Sequence, residues 1–252
     1  MPNDEATGSF STPLIVVIGE GSSDVAYLEP PLKAYYSKKY GMKCKLITIS
    51  DVTSDPNYTD AQLMDLLPGF IEGELKRPIN KIDKEIAANI KEIIQIIDID
   101  EAFVDEVLIK EDKDKKEFFY TRDGIEYKSI EIVKERNQRK QNRIAMLRTK
   151  ETVNVFGYEI PYAFLFFSIN IDDFHYANAL NWSKEEKNRQ AAMFARRNYY
   201  SKDDDAKIET FKALFDKNPT DFPNNIQDAW DYVSRDNNCL KTCSNVIYKI
   251  KD

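Results

Sequence analysis

Two apolar runs that end in carboxylates are the most informative feature of the hydrophobic pattern. The run Leu14–Ile18 leads into Gly19-Glu20-Gly21, and the run Ile93–Ile97 leads into Asp98 and Asp100. Continuous β-branched runs of this length are typical of strands buried on both faces of a parallel sheet. Because a buried strand has no structural reason to end in acid, we expect these carboxylates to serve a function.

A third apolar run, residues 161–170, predicts another central strand and is followed by Asp172 and Asp173. In open α/β sheets, ligands bind beyond the carboxyl ends of the parallel strands, so we expect the three strand ends to share one crevice. We also expect Asp98 and Asp100 to lie on one side of an extended segment, because they are two residues apart.

Between these strands the pattern predicts mainly helices. Polar residues 1–12 predict a flexible tail, and Phe118–Tyr127 predicts a hairpin because Asp123-Gly124 is a good turn signal. A further strand is predicted over Cys44–Ser50. Helices are predicted from Ser23 or Asp24 to Tyr40 (with a kink or restart at Pro30 and Pro31), and over Asp60–Gly69, Asn80–Ile94, Ile130–Leu147, Ser183–Tyr200, Asp204–Asn218, Asn225–Ser234 and Cys239–Ile250.

This order of elements predicts an α/β fold with a mostly parallel sheet flanked by helices. We assign residues 13–175 to the α/β domain and 176–252 to a helical C-terminal region. Residues 104–158 are charged and have too few large apolar side chains for a core of their own, so we interpret them as an insertion in the domain.

Composition limits the chemistry that is available. The chain has 252 residues, 42% hydrophobic and 31% charged, without a long apolar span or a signal peptide, so we expect a soluble, cytoplasmic protein. His175 is the only histidine, and the three cysteines fit neither a disulfide framework nor a zinc site. Clustered carboxylates without histidine or thiolate favour Mg²⁺ or Mn²⁺, and we expect Glu20, Asp98 and Asp100, together with Asp172, to hold such an ion.

The formal net charge of −7 argues mildly against nucleic acid as a partner, but the basic residues are unevenly distributed. Seven basic residues and one acid lie between Lys134 and Lys150. We expect one face of this helix to contact a phosphate backbone. The residues predicted to do so are Arg136, Arg139, Lys140 and Arg143, and Lys184, Lys187, Arg196 and Arg197 form a second basic group.

Several known motifs match only in part. The strand Ile94–Glu101 is similar to a Walker B strand, but the phosphate-binding Gly-x-x-x-x-Gly-Lys motif is absent from the sequence. The Gly19-x-Gly21 pattern lacks the third glycine of a dinucleotide site. Ala102 stands where a phosphatase Asp-x-Asp-x-Thr motif requires threonine. Nucleotide-sugar glycosyltransferases also use Asp-x-Asp and remain an alternative.

Taken together, the apolar strand, Gly19-Glu20-Gly21, the polar turn with Asp24, the helix, and a later strand ending Asp98-x-Asp100 resemble the Toprim domain. The resemblance covers roughly residues 13–103, and residues 161–170 more loosely. It implies a Toprim-like sheet in which Glu20 is a general acid/base or metal ligand. Asp98 and Asp100 would be metal ligands. Glu101 directly follows this motif rather than standing at the further acidic position that is more usual in the family.

In its small size, the chain most resembles the OLD-type and RloB-like nucleases of bacterial phage defence, a group that includes abortive-infection nucleases. The resemblance therefore implies a magnesium-dependent nuclease that hydrolyses phosphodiesters with Glu20, Asp98 and Asp100 as catalytic residues. Nucleic acid is the implied partner, while a partner ATPase or sensor protein and a homo-oligomeric state remain open. The alternative is a non-catalytic Toprim-like module that senses a nucleotide or binds a partner protein.

Overall fold

The computed structural model describes residues 12–49, 53–177 and 179–250. Residues 1–11 of the predicted tail, and Ser50 at the end of the predicted second strand, lie outside these ranges. The strands are β1 (Leu14–Gly19), β2 (Lys43–Thr48), β3 (Ile90–Asp98), β4 (Ile109–Glu111), β5 (Phe119–Thr121), β6 (Gly124–Tyr127), β7 (Thr152–Val155) and β8 (Tyr158–Phe167). The helices are α1 (Ser22–Tyr40), α2 (Asp60–Lys76), α3 (Lys84–Ala87), α4 (Ile130–Leu147), α5 (Ile171–His175), α6 (Lys184–Ala195), α7 (Asp204–Ala213) and α8 (Ile226–Val233).

A mixed, mostly parallel five-stranded sheet forms the centre of the fold, in the order β2-β1-β3-β8-β7. Strands β1, β2, β3 and β8 are parallel, and β7 runs antiparallel to β8 at the edge. Helices flank both faces of the sheet, so alternate residues of β1 are buried on opposite sides. Val16 and Ile18 belong to one apolar core, whereas Ile15 and Val17 belong to the other. The α/β class with a mostly parallel sheet flanked by helices is therefore confirmed.

The segment 104–158 carries a second, smaller sheet in the order β4-β6-β5. Its β5–β6 hairpin pairs Thr121 with Gly124, as the Asp123-Gly124 signal predicts. Gly124 has a φ of 131°, a conformation that strongly favours glycine, and an added Cβ would lie 2.1 Å from the Leu108 carbonyl oxygen. Helix α4 follows and has the predicted bounds.

Helix α1 has nearly the predicted bounds, whereas helix α2 is longer than the pattern predicts. Pro30 and Pro31 both lie inside α1, which is one helix rather than two pieces, and Gly41 ends it with a φ of 61°. Helix α2 continues past Pro68 to Lys76. Each proline removes one helical hydrogen bond, but packing of the buried faces of the two helices outweighs this loss.

The helix predicted over Asn80–Ile94 is wrong. Only the single turn α3 forms there, and Ile90 and Ile93 belong to β3. Strand β3 pairs with β1 on one side and with β8 on the other, so pairing across the sheet outweighs the local helical spacing of the isoleucines.

The helix predicted over Cys239–Ile250 is also wrong. Two short 3-10 turns occupy Asn238–Leu240 and Val246–Lys249, and Ser244 between them forms a β-bridge with Phe167. The Ser168 amide donates to the Cys243 carbonyl oxygen at 2.9 Å, and the Phe166 amide donates to the Asn245 side chain at 2.8 Å. We call residues 241–245 the C-terminal strap, because they bind the end of β8 beyond the point where β7 stops.

Among the described residues, none of the helices combines the length and apolar character that a membrane crossing requires.

Candidate functional site

The carboxyl ends of β1 and β3 meet where the direction of sheet building reverses. The chain passes from β1 to β2 on one side and then crosses β1 to reach β3 on the other. Such a reversal leaves a crevice in open α/β sheets, and it is the usual ligand-binding position. Glu20 directly follows β1, and Asp98 is the last residue of β3. The Glu20 Oε2 atom lies 3.5 Å from the Asp98 amide nitrogen, so the structure brings these two predicted residues together.

Asp24 shapes the loop that carries Glu20. Its Oδ2 atom accepts hydrogen bonds from the Glu20 amide at 2.7 Å and from the Gly21 amide at 3.0 Å. A Cβ on Gly19 would lie 2.9 Å from the Asp24 Cβ, so glycine is required there by close approach. Burial raises the pKa of Asp24, although the two amide hydrogen bonds counteract part of that effect.

Asp98 and Asp172 form the inner wall of the same site. The Asp98 Oδ1 atom accepts a hydrogen bond from the Ile171 amide at 2.9 Å, which connects the end of β3 to the start of α5. Burial, followed by repulsion from Asp24 and Asp100, raises the pKa of Asp98 well above its ordinary value. Asp172 is 1% exposed, and burial raises its pKa too. A divalent cation would relieve the cost of ionising these buried carboxyl groups.

Two groups bind the Asp172 carboxylate. The Tyr27 hydroxyl donates to Oδ1 at 3.1 Å, and the Lys187 ammonium lies 3.5 Å from Oδ2. Burial lowers the pKa of Lys187, but the attraction of Asp98, Asp172 and Asp100 outweighs burial and raises it. Lys187 therefore stays protonated beside the acidic wall.

A pocket of about 330 Å³ opens between these groups, and we call it the acidic pocket. Its floor contains Glu20, Asp24, Asp98 and Asp172. The N-terminus of α1 forms one side, with Gly21, Ser22 and Ser23, and helix α6 forms another. From α6 come Lys184, Lys187 and Asn188, whose side chain accepts a hydrogen bond from the Ser22 hydroxyl at 2.7 Å. A helix N-terminus and two lysines next to carboxylates suit a phosphate held beside a cation.

Asp100 is placed differently from the expectation. Strand β3 ends at Asp98, and Asp100 has a φ of 51°, so the two acids do not share one extended segment. The Asp100 Oδ2 atom lies 2.6 Å from Lys140 Nζ and 3.2 Å from an Arg136 guanidinium nitrogen. The described lining of the acidic pocket does not include Asp100.

The basic face expected on α4 is also corrected. Arg136 is 6% exposed, and Lys140 and Arg143 are fully buried. Arg143 binds Asp60 and the carbonyl oxygens of Asp55 and Tyr58, while the Arg139 Nε atom donates to the Ser54 carbonyl oxygen at 3.0 Å. Arg136, Lys140 and Arg143 therefore anchor α4 to neighbouring segments and do not form an exposed surface for a phosphate backbone.

Glu101 is an unusual buried acid. It is fully buried with a φ of 56°, and neither carboxyl oxygen has a hydrogen-bond partner among the described residues. Burial and then the Asp100 charge raise the pKa of Glu101 to about 9. Without a cation beside it, its carboxyl group is accordingly neutral at pH 7, and Glu101 does not line the acidic pocket.

Asp173 differs from its neighbour Asp172. Both of its carboxylate oxygens accept hydrogen bonds from the Arg122 guanidinium group, at 2.8 and 3.0 Å. Arg122 lies in the turn between β5 and β6, so this bidentate pair fastens the hairpin to the start of α5. Of the two acids, Asp172 is therefore the one that lines the acidic pocket.

The sequence singled out Glu20, Asp98 and Asp172 but missed three other contributors. Asp24 was placed in the polar turn or at the start of the helix, and Tyr27 and Trp182 were not singled out. Asp24 and Tyr27 lie four and seven residues after Glu20, which is the spacing of the first turns of a helix that starts at the site. That spacing is the signal that could have found them.

Among the described residues, no three histidine, cysteine, aspartate or glutamate side chains form a group that could hold a metal ion by themselves. Comparisons of the chain with protein-family models, curated proteins and solved structures found no match. The geometry of the acidic pocket is therefore the basis for a functional proposal.

Proposed function

We propose that the protein is a Toprim-like, Mg²⁺- or Mn²⁺-dependent nuclease that hydrolyses nucleic-acid phosphodiesters. One observation carries the proposal. The Glu20 carboxylate reaches the backbone of Asp98 at the carboxyl ends of two neighbouring parallel strands, inside a pocket that also contains a helix N-terminus and Lys187. Carboxylates for a cation and positive groups for a phosphate are thus in one place.

The donor set fits magnesium. Mg²⁺ keeps several water ligands and is usually bound through one or two carboxylates and substrate phosphate oxygens, so it does not require a preformed three-residue cage. Glu20 and Asp98 would hold the ion, and Asp172 lines the same pocket; Asp100, the remaining predicted ligand, does not line it. When bound, the metal lowers the pKa of a water molecule and neutralises charge on the scissile phosphate.

The protein groups around the metal position have separate roles. Lys187, on the α6 wall, and the N-terminus of α1 bind a phosphate oxygen and hold the phosphodiester over the acids. Tyr27 fixes the Asp172 carboxylate, which in turn positions Lys187. Glu20 directly follows a strand on a loop clamped by Asp24, so it is the group best placed to accept or return a proton.

The proposal is tested by incubating single- and double-stranded DNA and RNA with the protein in Mg²⁺ or Mn²⁺. Cleavage is expected for the wild type and should fall at least about a hundredfold in Glu20→Gln and Asp98→Asn. Glu209→Gln is the matched control, because Glu209 is an exposed acid that does not line the acidic pocket. Cleavage that is equal in all four proteins would contradict the proposal.

A second candidate is a non-catalytic Toprim-like module that binds a nucleotide or a partner protein. It is favoured by the ion pairs of Asp100 with Lys140 and Arg136, which already neutralise one acid of the Asp-x-Asp motif. Calorimetric titration with Mg²⁺ separates the two candidates. A catalytic site should bind Mg²⁺ and lose affinity in Asp98→Asn, whereas absence of binding, even with nucleic acid present, would favour the module.

The proposal extends to a role in bacterial phage defence by abortive infection, in the cytoplasm, alongside a partner ATPase or sensor protein. The resemblance to OLD-type and RloB-like nucleases is its support. The wild-type chain and the Asp98→Asn variant are each expressed in a bacterial host that is then infected with phage. Only the wild type should lower the phage plaque count. Light scattering of the purified protein tests the homo-oligomeric state.

A further inference from the structure

A second pocket adjoins the acidic pocket and shares two of its lining residues. It measures about 510 Å³, and Trp182 and Lys187 line both cavities. We call this cavity and its walls the aromatic groove. Its volume lies within the usual range of ligand pockets, about 300–1,000 Å³. The two cavities are therefore neighbours on either side of these two side chains, and a strand bound along the aromatic groove would extend towards the acidic pocket.

The walls of the aromatic groove combine aromatic rings with lysines and with two acids, Asp114 and Glu117. Phe118 and Phe119, which begin the β5–β6 hairpin, lie on one side, and Trp182 lies on the other. All three rings are half-buried, so each is packed against the protein and still accessible. The Lys115 ammonium lies 3.6 Å from the centre of the Phe119 ring, and Lys116 also lines the groove.

The two walls are held together by hydrogen bonds that do not depend on a ligand. The Asn181 side chain accepts from the Tyr120 amide at 2.8 Å and donates to the Tyr120 carbonyl oxygen at 2.7 Å. The bidentate Arg122–Asp173 pair fixes the turn of the same hairpin. The Trp182 ring packs on Tyr176, with centroids 5.2 Å apart. The aromatic groove is thus preformed, which lowers the entropic cost of binding.

We infer that the aromatic groove binds the unpaired bases of single-stranded nucleic acid and leads the strand to the acidic pocket. Aromatic rings beside lysines are the recurrent means of binding single strands, because every base offers a face for stacking. In a duplex those faces are already stacked and unavailable. Because Arg136, Lys140 and Arg143 are buried and the net charge is −7, we expect base stacking, rather than a basic face of α4, to be the larger contribution to strand binding. The inference deepens the proposed nuclease function and rests on it for the fate of the strand.

The test is fluorescence anisotropy of labelled oligonucleotides with Ca²⁺ in place of Mg²⁺, to limit cleavage. The same sequence is offered as single-stranded DNA, single-stranded RNA and duplex DNA. Both single strands are expected to bind at least about tenfold more tightly than the duplex. Comparison of the DNA and RNA arms shows which of the two the groove prefers.

Variants localise the binding. Trp182→Ala and Phe119→Ala are each expected to weaken single-strand binding about fivefold or more, while Trp182→Phe keeps a stacking ring and should stay within about threefold of the wild type. Tyr158→Ala is the matched control, because Tyr158 is 37% exposed and lies outside the groove. Thermal unfolding of each variant confirms that it folds. If Trp182→Ala does not fold, Phe119→Ala still tests the groove.

Equal affinity for duplex and single strand, or wild-type binding by both Trp182→Ala and Phe119→Ala, would overturn the inference. So would binding of none of the oligonucleotides. The outcome is separable from the proposed nuclease function. Cleavage that depends on Asp98 but not on Trp182 or Phe119 would support the nuclease function and contradict the inference about the groove. Single-strand binding that depends on the aromatic rings, without any cleavage, would support the groove and contradict the nuclease function.

Discussion

The only histidine of the chain gives a pH dependence of stability that can be isolated cleanly. His175 is 7% exposed, stacks on Tyr27 with ring centroids 3.9 Å apart, and has its Nδ1 atom 2.9 Å from the Ile171 carbonyl oxygen. Its Nε2 atom has no hydrogen-bond partner among the described residues. Burial is the main cause that lowers the pKa of His175 from 6.5 to about 3, and the charge of Lys217 adds to it.

The sign and size of the effect follow from this pKa. The unfolded chain takes up a proton at His175 near pH 6.5, whereas the folded protein does so only near pH 3. The contribution to stability is therefore complete above pH 6.5 and decreases by about 1.4 kcal/mol for each pH unit below it. About 2 kcal/mol of the free energy of unfolding should be lost between pH 8 and pH 5 from this residue alone.

The assay compares urea unfolding of the wild type and His175→Phe at pH 8, 7, 6 and 5. Phenylalanine keeps a ring on Tyr27 but cannot be protonated, so the loss of the Ile171 hydrogen bond adds a constant offset. The difference between the two proteins should change by about 2 kcal/mol over this range in favour of the variant. Buried carboxyl groups titrate in both proteins, and their contributions cancel in the comparison.

Parallel pH profiles for the two proteins would refute the reasoning. An independent readout comes from NMR, because the imidazole signals belong to a single residue. In the folded protein they should not titrate above about pH 4, and a midpoint near 6.5 would show that His175 is accessible to water.

Three further predictions concern the site and its supports. Gly19→Ala should lower the free energy of unfolding by about 1–3 kcal/mol because the new Cβ meets Asp24, whereas Gly69→Ala, with no atom within 4 Å, should stabilise the protein; urea unfolding measures both. Saturating Mg²⁺ at about 100 times its Kd should add about 2.7 kcal/mol to the free energy of unfolding of the wild type and nothing to that of Asp98→Asn, and an equal gain in both would contradict the metal position. Lys140→Met should cost about 3 kcal/mol because it leaves Asp100 without its nearest cation, and a cost below about 0.5 kcal/mol would show that this pair contributes little.

The strands could be predicted from sequence because they are long and apolar on both faces. The runs that become β1, β3 and β8 end within a few residues of the predicted points. Two helix predictions were wrong where pairing between distant residues decides the structure. Ile90–Asp98 pairs with β1 and β8, and residues 241–245 hydrogen-bond to the end of β8. Local periodicity contains no information about such partners.

The proximity of Glu20 and Asp98 in the candidate site could be predicted because both follow long apolar runs. Glu20 and Asp98 meet because their strands are neighbours, a relation that follows from the order of the sheet. The basic residues of α4 were misjudged because charge alone was counted. Val133, Arg136, Lys140, Ile144 and Leu147 recur every three or four residues, which places the cations on the apolar, buried stripe of the helix. Attention to that spacing would have predicted their burial.

The C-terminal strap has a consequence for the order in which the protein is made. The Asp98 carboxylate accepts a hydrogen bond from the amide of Ile171, which lies 73 positions further along the chain. The Phe166 amide donates to the side chain of Asn245, which lies 79 positions after Phe166. A ribosome synthesises the strand ends that carry Glu20 and Asp98 well before it synthesises the residues that support them. Contacts this distant in sequence also slow folding. A nascent chain would therefore carry the acidic residues for some time before the pocket around them is complete.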